Sequence, residues 1–116
     1  MASTVYKKFR QFINADYAVE VNVGFCQLVG WNLINPNTSN VYLKLGDVAA
    51  AWDPGDPPTM KRTLMIPAQG TVFIPNEDKY QLDFANGMFV WATGGIADND
   101  VTAISSACLV EILYNN

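Results

Sequence analysis

Through residues 17–23 the chain alternates, with Tyr17, Val19, Val21 and Val23 on one side and Ala18, Glu20 and Asn22 on the other. A period of two marks an extended strand with one dry face, because successive side chains point to opposite sides of a pleated backbone. Residues 25–34 form a second, more apolar stretch interrupted by Gly30. It stops at Asn35-Pro36-Asn37-Thr38-Ser39-Asn40, where proline fixes φ and asparagine tolerates the left-handed region. Residues 41–45 alternate again, so the pattern predicts a hairpin of these two runs closed by a six-residue loop.

Residues 46–59 change character. Asp53-Pro54-Gly55-Asp56-Pro57-Pro58 forbids both helix and interior strand, which predicts an exposed loop with Trp52 at its start, as a core plug or a contact anchor. Five further strand-length runs follow at 61–66, 71–74, 81–85, 88–93 and 107–114, bounded by Pro67, Gly70, Pro75-Asn76, Asn86-Gly87 and Gly94-Gly95. Asn86-Gly87 is the strongest short-range turn signal. Met88-Phe89-Val90-Trp91-Ala92 is apolar on both sides, as expected of a strand central in a sandwich or covered by another subunit. Short strands at this spacing, with no amphipathic helix, predict an all-β protein: a single antiparallel β-sandwich of jelly-roll type.

Ahead of the first alternation, residues 4–12 mix Lys7, Lys8 and Arg10 with Tyr6, Phe9 and Phe12, too few residues for a stable free helix. Two readings stand, an edge strand packed on its own domain or an arm reaching a neighbouring subunit. The chain accordingly divides into an N-terminal arm or edge segment, 1–16, and a sandwich domain, 17–116.

Composition sharpens this picture. Half of the 116 residues are hydrophobic and 16% are charged, against roughly 25% charged in soluble domains, which suggests a surface partly covered by another subunit. The net charge of −4 comes from scattered acids, so direct contact with nucleic acid is disfavoured. The first ten residues lack the apolar core of a secretion signal and no apolar run approaches a membrane span, so the product is expected to stay in the cytoplasm of the cell that makes it. Cys26 and Cys108, far apart and in apolar runs, read as reduced core residues.

Candidate chemistry is sparse. The absence of histidine removes the usual serine and cysteine triads and histidine general bases. No motif supports a lysine dyad with Ser3, Ser39, Ser105 or Ser106, and Asp47, Asp53, Asp56, Asp83 and Asp98 read as scattered surface acids, so no enzyme and no cofactor are expected. Asp98-Asn99-Asp100 resembles the opening of a calcium loop, but the spaced glycine and distal glutamate are missing, which leaves Asp98 and Asp100 as weak metal candidates within a structural turn. Trp31, Trp52 and Trp91 offer an alternative function, a glycan-stacking platform on the sandwich; Trp31 and Trp91 lie inside strands and are expected to be buried.

The order of the turn motifs is more specific than any one of them. Asn35-Pro36-Asn37 with residues 41–44, then Pro67-Ala68-Gln69-Gly70, then Phe84-Ala85-Asn86-Gly87, then residues 92–103 resembles small structural proteins of tailed bacteriophages, in which "xNPN", "PAxG", "F-x-NG" and "TGIADxDxTA" turns recur in this order. The resemblance spans about residues 30–114 and leaves the Trp52 loop unmatched. It implies a virion component on the capsid exterior. The foremost expectation is a decoration (cement) protein, a homo-oligomer with a trimer favoured, which contacts the major capsid protein and other virion proteins. A head-fibre base, neck or tail protein is the alternative. Two contact elements are expected, Tyr6, Lys7, Lys8, Phe9 and Arg10 in one, and Trp52, Asp53 and Asp56 in the other.

Overall fold

The computed structural model describes residues 6–14, 18–52, 56–74 and 82–116, and these residues form an all-β structure without helices. Nine strands are found among them: β1 (Lys7–Ile13), β2 (Val19–Val23), β3 (Cys26–Ile34), β4 (Val41–Asp47), β5 (Thr59–Ile66), β6 (Thr71–Ile74), β7 (Leu82–Phe84), β8 (Gly87–Thr93) and β9 (Cys108–Asn115). Every pairing is antiparallel. The first sheet runs β1-β9-β3-β6, with β7 also on β3, and the second runs β2-β8-β4-β5. Counting β6 and β7, which share one edge of β3, as one strand, these are the orders of an eight-stranded jelly roll.

The alternation in sequence becomes the two faces of each sheet. Leu28, Trp31 and Leu33 of β3 and Val110 and Ile112 of β9 pack against Val41, Leu43 and Leu45 of β4 and Met88, Val90 and Ala92 of β8 to form the core. Cys26 and Cys108 are fully buried in it as free thiols, and burial pushes each from an ordinary 9.0 to about 11.

The predicted hairpin of residues 25–34 with 41–45 does not form. β3 spends both edges on β9 and on β6 and β7, while β4 spends both on β8 and β5, so the chain between them crosses from one sheet to the other. Asn35 makes that crossing possible. Its buried amide donates to the carbonyls of Ser39, Ile66 and Pro67, and its Oδ1 accepts from the backbone and side-chain nitrogens of Asn37. Asn37 then reaches the final connection, donating to Ser106 O at 2.8 Å and accepting from Ser106 N at 2.7 Å. The motifs Asn35-Pro36-Asn37 and Pro67-Ala68-Gln69-Gly70 are thus one structural knot at one end of the sandwich, tied also by Asn35 N to Gly70 O and Gln69 N to Asn37 O.

At the opposite end Asn86-Gly87 turns the chain from β7 in the first sheet to β8 in the second. Gly87 sits at φ 147°, and a Cβ there would come within 2.7 Å of the carbonyl oxygens of Asn22 and Val48. Asp47 caps this turn by accepting from the backbone N–H groups of Ala85 and Asn86.

All seven residues of β8 are buried. Its inner residues face the core, and its outer Phe89 and Trp91 are covered from within the same chain, by Ala18, Val48 and Trp52.

Candidate functional site

The candidate site is the outer face of the first sheet. Because Phe9, Ile13, Val72, Ile74, Val110 and Ile112 turn inward, the pleat turns Lys8, Arg10 and Phe12 of β1, Leu109, Glu111 and Leu113 of β9, and Phe73 of β6 outward. Asn32 and Ile34 of β3 join them. Phe12 and Phe73 are 62% and 65% exposed and Ile34 is 39% exposed. Ile34 and Phe73 lie on adjacent strands and Phe12 on the far edge strand, so one face of the sheet carries three large exposed apolar side chains, a candidate interaction surface.

A charged cluster crosses the same face. Glu111 pairs with Lys8 at 2.9 Å and with Arg10 at 3.3 Å, and it accepts from Asn32 Nδ2 at 2.8 Å. The hydrogen bond from Lys8, then that from Asn32, holds its carboxyl below the usual glutamate value. Arg10 also lies 6.0 Å from the centre of the Phe12 ring. A shallow depression of about 120 Å³ opens beside the cluster, floored by Trp31 and flanked by Asn32, Phe73 and Leu113.

The structure divides the predicted contact residues. Lys8 and Arg10 belong to this face. Phe9 packs against the core, Lys7 lies exposed at the start of β1, and the partly buried Tyr6 precedes it. Residues 7–13 form an edge strand, paired with β9 along their whole length.

Of the second predicted element, Trp52 lies on the outer face of the other sheet. Trp52 is half-buried, with its ring 5.5 Å from that of Trp91 at 49°, and a Cβ at Gly46 would come within 3.0 Å of it. It acts as a plug over β8. Asp56 is exposed, and Asp53 lies outside the described residues.

Asp98 and Asp100 sit in the connection between β8 and β9, which folds back over the second sheet. Lys44, 1% exposed on β4, sends its ammonium into this connection and donates to the carbonyls of Ala97 and Asp100. Burial pulls the Lys44 pKa down, against the attraction of Asp100 and Asp98. Asp100 is itself occupied: its carboxylate accepts from Thr102 N at 3.0 Å and Thr102 Oγ1 at 2.8 Å. Its desolvation is outweighed by these bonds together with the Lys44 charge and the backbone of Gly95, so its pKa falls. The Lys44 ammonium thus engages backbone carbonyls of this turn, and among the described residues no cluster of three metal-ligating side chains occurs.

A second cavity, of about 190 Å³, lies beside the asparagine knot and is lined by polar residues such as Asn37, Ser39 and Thr102 together with Val41 and Ile104, with no ionisable group. The chain matches no protein-family model, and the curated proteins yield no relative.

Sequence reasoning missed Glu111, Phe73, Ile34 and Lys44. A signal existed for Phe73, since it sits out of phase with Val72 and Ile74 in a strand-length run. Glu111 has the same phase relation to Val110 and Ile112, but its pairing with Lys8 and Arg10 depends on the first and last strands meeting.

Proposed function

We propose that this protein is a non-enzymatic structural component of a phage virion, a capsid decoration (cement) protein that stabilises the head through contacts between neighbouring capsomers. The observation that carries this reading is the outer face of the first sheet, where Phe12, Ile34 and Phe73 stand exposed around the Lys8–Glu111–Arg10 cluster. A small rigid sandwich with such a face works by buried area. A stable contact needs roughly 800 Å² on each partner, to which exposed apolar side chains around a charged cluster can contribute. The order of turn motifs shared with small phage structural proteins supplies the kind of assembly. The partners are the major capsid protein and sister copies, with a trimer favoured, on the capsid exterior after synthesis in the host cytoplasm. The same face serves a head-fibre base, neck or tail protein.

The test is the native mass of the purified protein, followed by mixing with capsid shells stripped of it. A closed oligomer that rebinds in saturable, symmetric copy number is expected. Phe73→Asp, at an exposed position, should leave the fold intact and weaken rebinding at least about tenfold. A monomer that ignores shells, or rebinding indifferent to Phe73→Asp, overturns the reading.

A further inference from the structure

The open edges of the two sheets are not alike. In the second sheet β2 is five residues long and its register shifts between Glu20 and Asn22, and the pairing of β5 shifts opposite Leu45 and Gly46. In the first sheet the edge formed by β6 and β7 is divided between strands of four and three residues. Bulges and short strands break the row of outward amides that would template another strand. β1 lacks these devices, with seven consecutive residues pairing with β9 without a shift. Alternate residues of β1 therefore point N–H and C=O away from β9, where no described strand pairs with them.

The charge on this edge is equally one-sided. Lys7, Lys8 and Arg10 are three of the seven basic residues of a chain with net charge −4. Glu111 is shared by Lys8 and Arg10, and Lys7 makes no ion pair among the described residues. Pairing with β1 of a second copy would set cation against cation, which is destabilising across a ladder. A strand carrying carboxylates would be drawn in.

We propose that the β1 edge accepts an acidic, extended segment of a partner protein as an added strand of the first sheet. The backbone ladder supplies affinity, and carboxylates at alternate positions meet Lys8 and Arg10 on the outer face. The inference rests on the contact reading above and extends it from the face of the sheet to its edge.

The test uses the full chain and a nine-residue peptide of alternating glutamate and valine, with two controls: the same peptide N-methylated at every amide, and one with lysine for glutamate. The acidic peptide should bind and slow amide exchange at alternate residues of β1. N-methylation, which keeps the charge and removes the donors, should weaken binding about tenfold or more, and so should Lys8→Glu with Arg10→Glu in a variant whose circular dichroism is unchanged. The lysine peptide should not bind. Failure of the acidic peptide to bind, equal binding of the N-methylated one, or protection on β2 or β5 instead of β1 overturns strand addition. So does protection of β1 that grows with protein concentration alone, the mark of a second copy. Rebinding to stripped shells is read separately, so strand addition can fail while the face of the sheet still carries the contact.

Discussion

Lys44 and the two cysteines pull the stability of this protein in opposite directions as pH rises. Each buried thiol has its pKa raised from 9.0 to about 11, so between those values the unfolded chain has released protons that the folded chain keeps. Stability falls with pH across that window, by on the order of 2 kcal/mol per thiol. Lys44 behaves in the reverse sense. Its folded pKa lies below the ordinary 10.5, so through the window beneath that value the unfolded chain holds the extra proton and stability rises with pH. Denaturant unfolding from pH 8 to 11 should show a net loss in the native chain. The loss should disappear in Cys26→Ala with Cys108→Ala, exposing the rise, and Lys44→Met should flatten that rise. On the acid side Glu111, with its pKa lowered, contributes stability that is fully present above the ordinary glutamate value and is lost as pH falls through the folded one. Glu111→Gln should remove that part of the acid sensitivity.

At the scale of elements, the connections matter more than the strands. Most turns carry the chain across the sandwich, so each must hold its polar groups inside the molecule. Asn35 serves three carbonyls at 2.9 to 3.1 Å and is 1% exposed, so Asn35→Ala should cost about 2–4 kcal/mol in denaturant unfolding, chiefly from acceptors left buried without donors. Trp52 is the opposite case, a half-buried aromatic that covers Trp91. Trp52→Ala should cost about 1–3 kcal/mol and diminish the near-ultraviolet dichroism of the tryptophan pair. It should leave shell rebinding unaltered if the proposed contact face, on the other sheet, is the one used. Loss of sugar retention in that variant, with assembly intact, would instead favour the glycan platform.

For the whole molecule, charge separation bears on how the proposed partner would be met. The chain is acidic in total, yet its first sheet ends in a basic edge that also carries the exposed Phe12. Attraction to an acidic surface should therefore speed encounter, with apolar burial holding the complex afterwards. Raising ionic strength from about 0.05 M to 0.3 M should slow rebinding to stripped shells while changing dissociation little. Lys8→Glu with Arg10→Glu should abolish that salt dependence. A salt-independent association rate in the native chain would remove electrostatic steering from the account.

The strands were legible because alternation is local: a residue between Val110 and Ile112, or between Val72 and Ile74, must point away from the core whatever the strand pairs with. Turn positions were legible for the same reason, since proline, glycine and asparagine impose their φ preferences without reference to distant chain. What those turns connect was not. Residues 35–40 read as a hairpin loop because sequence shows the turn and not the competition for edges, and only the packed structure gives both edges of β3 and of β4 to other strands. The same holds for the candidate site. Lys8 and Arg10 were singled out by composition, but the carboxylate between them, the phenylalanine three strands away and the lysine beneath Asp100 come from distant stretches of the chain. Sequence by itself determined which faces are dry and where the chain turns. Tertiary structure alone decided which wet faces meet, because strand order is set by long-range pairing, to which a period of two is blind.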